Sequence, residues 1–129
     1  MSMLIRVTSF GHGHPAGTPE GLDLVVDLRP YRDPHVSPRM RYMTARDPEV
    51  VATVQSTPGM RAALAAALSS VVALADRRDA PPVIEVGVGC TGGRHRAPAG
   101  ADMLARMARA LGYETEVVHR DITLPVLSR

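Results

Sequence analysis

Apolar positions along the chain alternate between two spacings. Residues 3–8 and 22–28 (Leu-Asp-Leu-Val-Val-Asp-Leu) are short runs of apolar and β-branched side chains with the length and pattern of strands. A third run starts at Val83 (Val-Ile-Glu-Val-Gly-Val), and a fourth covers residues 113–119. Between them the spacing changes to that of helices. Asp47 and Pro48 open a short helix reaching about Gln55, and Thr57 with Pro58 can cap and start the next. Over residues 60–75, Leu64, Leu68, Val71, Val72 and Leu74 fall broadly on one side, as on an amphipathic helix packed against a sheet. Residues 98–111 repeat the pattern with Met103, Leu104, Met107 and Leu111 turned inward and Gly112 as the stop. Strands alternating with helices predict a single α/β domain over residues 1–129, with a mixed, mainly parallel sheet flanked by helices.

Three stretches lack either period. The glycine-rich segment after residue 8 reads as a loop through Gly21 and carries His12 and His14. Two histidines two apart can chelate a metal, but no Cys, Asp or Glu stands at ligand spacing, so no metal is expected. In residues 29–46, Pro30, Pro34 and Pro38 forbid a regular helix. Because that loop carries Arg29, Arg32, His35, Arg39, Arg41 and Arg46, it is read as functional, placed where open α/β sheets bind ligands, beyond the carboxyl end of a strand. The tail, residues 121–129, is expected to trail across the surface or to pack on a partner subunit.

Composition narrows the function classes. Hydrophobic residues make up 45% and charged residues 22% of the 129, as in an ordinary globular chain. No apolar run approaches the roughly 20 residues that span a bilayer, and no basic segment followed by an apolar one opens the chain, so a cytoplasmic protein without membrane contact is expected. A single cysteine, Cys90, leaves no internal disulfide. With aromatics at 3% and no Trp, the stacking platforms typical of single-stranded nucleic-acid recognition are missing. All 15 basic side chains are Arg, yet the net charge of +2 alone does not predict a polyanion partner.

The chemistry concentrates after the third strand, in Gly89-Cys90-Thr91-Gly92-Gly93-Arg94-His95-Arg96. Glycines that turn successive N–H groups into one concavity, followed by a helix whose first turn takes Pro98, make a strand–loop–helix anion site. Arg94, His95 and Arg96 supply further donors there. Cys90 and Arg96 also have the spacing with which cysteine phosphatases wrap a thiolate and a guanidinium around one phosphate.

This run resembles the signature of the C-terminal domain of the RNase adapter protein RapZ family, usually Gly-Cys-Thr-Gly-Gly-Lys-His-Arg. Ser9-Phe10-Gly11, Asp27-Leu28-Arg29 with Asp33-Pro34-His35, and Val118-His119-Arg120 match in the same order, so the likeness covers nearly the whole chain. The resemblance implies a pocket for a phosphorylated amino sugar, a contribution to small-RNA binding, and self-association into a homo-oligomer. Carried over residue by residue, it singles out His35, Cys90, Thr91, Gly92, His95 and Arg96. Gly93, Arg94, Arg29 and Arg41 complete the anion-binding set expected from the loops themselves, and no cofactor is expected.

Two other readings stand beside this regulatory binding module. In a cysteine phosphatase Cys90 would be the nucleophile, Arg96 the clamp and Asp33 the general acid. Gly89 stands where such enzymes commonly have His, however, and Ala97 where they keep a hydroxyl beside the thiolate, so a binding domain without catalytic residues is preferred. In a nucleic-acid module the arginine loop would track phosphates. The tail Asp121-Ile122-Thr123-Leu124-Pro125 is not basic as in the RapZ family, and the chain contains no G-x-x-x-x-G-K-[ST] run for ATP.

Overall fold

A computed structural model describes residues 3–128. Four strands form one sheet: β1 (Leu4–Gly11), β2 (Leu24–Asp27), β3 (Val83–Cys90) and β4 (Glu114–His119). Their order is β2-β3-β1-β4, and every neighbouring pair is parallel. The mainly parallel sheet expected is thus wholly parallel, with no antiparallel strand among the described residues. The cause is that no tight hairpin occurs: each connection is long enough to return the chain to the starting edge. All four carboxyl ends therefore lie along one edge, which gathers Gly11, Asp27, Cys90 and His119.

Three helices, α1 (Pro48–Ser56), α2 (Met60–Ala75) and α3 (Arg96–Ala110), pack on one another and on the sheet. Asp47 caps α1, its side chain accepting from Glu49 N, with Pro48 in the first turn. Helix α3 is central, touching β1, β3, β4, α1 and α2. Its buried face is built from Ala97, Ala99, Gly100, Ala101, Ala105 and Ala108, small enough to bring the helix close to the sheet. A methyl group added at Gly100 would stand 2.6 Å from Leu28 Cδ1. Ile5 and Val7 of β1, Ile84, Val86 and Val88 of β3, and Val50, Val54, Leu64, Val71 and Leu104 of the helices close the core. Leu111, expected to face inward, follows the end of α3 and is 57% exposed.

The glycines of β3 do different work from that expected. Gly87 and Gly89 lie inside the strand, and their missing side chains open slots on the face away from the helices. Leu22 fills the first slot, while a Cβ at Gly89 would meet Phe10 Cζ at 2.7 Å and His12 Nε2 at 2.5 Å. The glycine-rich segment thus folds down as the cover of the second face, and His12 N and Gly13 N continue the ladder by donating to Cys90 O and Thr91 O. The turn itself falls at Gly93, with φ of 74°, where a Cβ would meet Gly11 N at 2.8 Å and Asp121 Cβ at 2.9 Å.

The tail also finds its partner in the same chain. Ile122 is buried in the core, Leu124 O accepts from Arg94, and Leu127 lies over Gly13. Of the apolar groups expected to meet a second subunit, Ile122 is covered intramolecularly, while Leu124, Val126 and Leu127 are half-buried.

Candidate anion site at the carboxyl edge of the sheet

The side chains of the signature point at the loop of residues 29–46 and the tail. Arg96 is buried, and its NH1 donates to Leu28 O (3.3 Å), Arg29 O (2.9 Å) and Tyr31 O (2.9 Å). Its NH2 donates to Asp33 Oδ2 at 2.9 Å and to Thr91 Oγ1 at 3.3 Å. Arg94 ties the same loop to the tail, with NH2 donating to Tyr42 O (2.6 Å) and Met43 O (3.3 Å) and NH1 to Leu124 O (2.9 Å). His95 is buried with Nε2 at 3.0 Å from Met40 O and 2.9 Å from Met43 O. Two carbonyls can only accept, so this nitrogen carries the proton. Its Nδ1 stands 3.8 Å from Asp33 Oδ1.

This use of the three donors has a clear physical reason. Prolines and tight turns leave the 29–46 loop without a regular ladder, so its carbonyls need donors from elsewhere when they are buried. A planar guanidinium, with several N–H groups in a fixed fork, satisfies several at once. The fork of Arg96, expected on two oxygens of a bound anion, is occupied here by three carbonyls and Asp33. That carboxylate, considered as a general acid, accepts from Arg96 and from His35 N at 3.0 Å.

Cys90 is buried and lies under the loop. Its Sγ accepts from Gly93 N at 3.3 Å and from Ala97 N at 3.4 Å. The residue at the N-cap of α3, His95, makes no side-chain capping bond, so the cysteine sulfur satisfies one of the otherwise orphaned donors of the first turn. Among the described residues, no protein acceptor meets the N–H groups of Thr91, Gly92, Arg94 and His95. These amides and the amino end of α3 are the unspent positive character of the loop.

A polar groove of about 350 Å³ is lined by His35, Arg41, Tyr42, Val126, Leu127 and Ser128. Pro34, His35 and Val36 form a single 3-10 turn capped by Asp33, which joins His35 to Arg96 through one carboxylate. Arg41 Nε donates to His35 O at 3.1 Å. The structure therefore brings His35 and Arg41 together and links both to the signature. Arg29 goes elsewhere: its guanidinium forks onto Asp27, Nε to Oδ1 at 3.0 Å and NH2 to Oδ2 at 2.9 Å. Those bonds hold the Asp27 carboxyl below its usual range despite partial burial. His12 Nε2 stands 3.9 Å from the same carboxylate. Burial and the Arg29 charge lower its pKa, opposed by Asp27. His14 turns away from His12, with Nε2 at 3.0 Å from Gly92 O.

One organising residue escaped the sequence reading. Asp121 is buried and accepts from Gly11 N at 2.8 Å, while Arg120 forks onto it and also donates to Gly17 O at 2.7 Å. It pins the turn where Gly11 and Gly93 meet. Burial pushes its pKa up, but hydrogen bonds from Arg120 and Gly11 and the nearby Arg120 and His14 charges outweigh it and hold it below the usual carboxylate range. The only signal in the sequence is its place directly after His119-Arg120.

Three outcomes are expected from this geometry. Replacing Arg96 by Ala strands the Leu28, Arg29 and Tyr31 carbonyls and Asp33, so Arg96→Ala is expected to cost about 3 kcal/mol and lower Tm by roughly 10 °C. Arg41→Ala, losing one hydrogen bond at a half-buried site, is expected to cost about 1 kcal/mol or less in the same thermal melts. For Asp121, a folded pKa below the unfolded value means that its stabilisation is present above about pH 3.9 and is lost as pH falls through the folded value. Asp121→Asn should therefore flatten the acid limb of a stability–pH curve measured by urea unfolding.

Among known proteins, residues 3–123 match the family model of the RapZ C-terminal domain. A nucleotide-binding protein of Thermus thermophilus is 42% identical over 122 residues, covering 92% of this chain and 43% of the relative. Nucleotide-binding proteins of Streptomyces avermitilis and Streptomyces coelicolor are each 40% identical over 120 residues, covering 92% of this chain and 40% of the relative. The chain thus spans about two fifths of the length of the curated relatives it matches, and with its parallel sheet and the signature joining β3 to α3 it belongs to the RapZ C-terminal domain family.

Proposed function

We propose that this domain is a non-enzymatic regulatory module that binds a phosphorylated small molecule, a phosphosugar or nucleotide-sugar, at the carboxyl edge of its sheet. The observation that carries the reading is that the Thr91, Gly92, Arg94 and His95 amides at the amino end of α3 have no protein acceptor among the described residues, together with a polar groove holding His35 and Arg41. The amides take phosphate oxygens, Arg41 and His35 add charge and a donor, and the groove accepts the sugar. Arg94, His95 and Arg96 are positioning residues, fixing the loop that carries His35 and Arg41. The relatives are named nucleotide-binding proteins, which agrees with a phosphate-bearing ligand, although most of their length lies outside the match.

Cysteine chemistry is the less favoured reading. The Cys90 sulfur is buried and accepts from two amides, and Ala97 supplies no hydroxyl beside it. RNA binding and self-association rest on the family likeness alone.

A thermal-shift screen with hexosamine 6-phosphates, nucleotide-sugars and nucleotides tests the proposal. A ligand at a hundred times its Kd should add about 2.7 kcal/mol of stability. Arg41→Ala, at a cost of about 1 kcal/mol or less without ligand, should lose roughly tenfold in affinity. No aryl phosphate turnover above buffer is expected, and release of phosphate that disappears in Cys90→Ser would reverse the assignment to a binding domain.

A further inference from the structure

A second surface lies on the helical side, along α3 from its first turn. One hollow of about 330 Å³ is bounded by Gln55, Arg61, Met103, Arg106 and Met107, where the end of α1 and the start of α2 meet α3. A second, of about 540 Å³, is bounded by Val51, Ala99, Asp102, Arg106, Arg109 and Val117, between α1, α3 and β4. Arg106 borders both, so the two lie side by side along α3. From Ala99 to Met107 that is about 12 Å of helix, or a little over two turns.

The groove has an apolar floor and a cationic rim. Met103, Ala99, Val51 and Val117 are buried or half-buried at its base. Arg61, Arg106 and Arg109 are exposed around it, and among the described residues none has a carboxylate within salt-bridge distance. Arg109 donates only to the Thr115 hydroxyl. Asp102, the one acid of the groove, is engaged with His119, which bridges it to the buried Ser9 hydroxyl. Arg6, Arg29, Arg39, Arg96 and Arg120, by contrast, each hold a carboxylate. Three unneutralised guanidinium groups around a methionine-containing floor are complementary to a segment that brings both acid and oil.

We infer that the α1–α3 groove docks an acidic peptide segment, with one or two aliphatic or aromatic anchors on Met103 and Met107 and flanking Asp or Glu side chains on Arg61, Arg106 and Arg109. Its length suits about two turns of helix or a shorter extended run. The groove has no aromatic ring on which a base could stack, which favours a peptide over RNA. It shares no residue with the groove holding His35 and Arg41, so this inference stands apart from the phospho-ligand reading.

The test is selection of random twelve-residue peptides, displayed on phage, against the full immobilised chain and against Arg106→Glu/Arg109→Glu. The parent should enrich sequences in which Asp or Glu flank an apolar residue, and recovery of these on the double variant should fall at least tenfold. Thermal melts establish that the variant is folded, with Arg61→Glu/Arg109→Gln as the substitute if it is not. No enrichment, a neutral or basic consensus, or equal recovery on the folded variant would overturn the inference, as would displacement of the selected peptides by an RNA oligonucleotide but not by excess free peptide.

Discussion

Three consecutive donors, Arg94, His95 and Arg96, hold a loop that cannot hold itself. Residues 29–46 are too rich in proline for a helix and pair with no strand, so several of their carbonyls would enter the interior without partners. The guanidinium of Arg96 alone takes two of them, takes Leu28 O just before the loop, and binds Asp33 as well. An unmet buried carbonyl costs on the order of 1 to 3 kcal/mol, so the conformation of this loop depends on the signature. Because the signature sits between β3 and α3, the same residues connect the sheet edge, the central helix, the loop and the tail.

This arrangement divides labour within the signature. Side chains that look like ligands for an anion serve as the frame, while the backbone amides beside them keep no protein partner. Cys90 fits the division: its sulfur accepts from Gly93 N and Ala97 N, which sets the turn into α3. A frame of this kind suits recognition, since amides at a helix terminus cost no reorganisation when an anion arrives. It also couples the pocket to loop order, because His35 and Arg41 reach the groove only while the loop is held.

Much of the fold was legible. The bounds of α2 and the places of the four strands, though not their ends, followed from apolar spacing, and Pro48 with Asp47 marked the start of α1. The direction of each strand was less so, since an apolar run reads alike in parallel and mixed sheets. Gly89 looked like a turn residue because spacing cannot distinguish a glycine needed for φ above zero from one needed for a close neighbour; its neighbour His12 comes from another segment. The site was legible as a location and not as a wiring diagram. Arg96 was visible, but its partners are backbone carbonyls, which leave no mark in a sequence. Asp121 was missed for a related reason, as its partner is the amide of Gly11.

The central claim is that amides, rather than the Arg96 fork, receive the ligand. An amide-detected NMR titration of the ¹⁵N-labelled domain with a hexosamine 6-phosphate addresses it directly. The account predicts saturable shifts of the Thr91, Gly92, Arg94 and His95 amides together with Arg41 Nε–H, while the Arg96 guanidinium signals, locked on Leu28, Arg29 and Tyr31, stay in place. Saturable binding that moves the Arg96 guanidinium and leaves those four amides unchanged would contradict it.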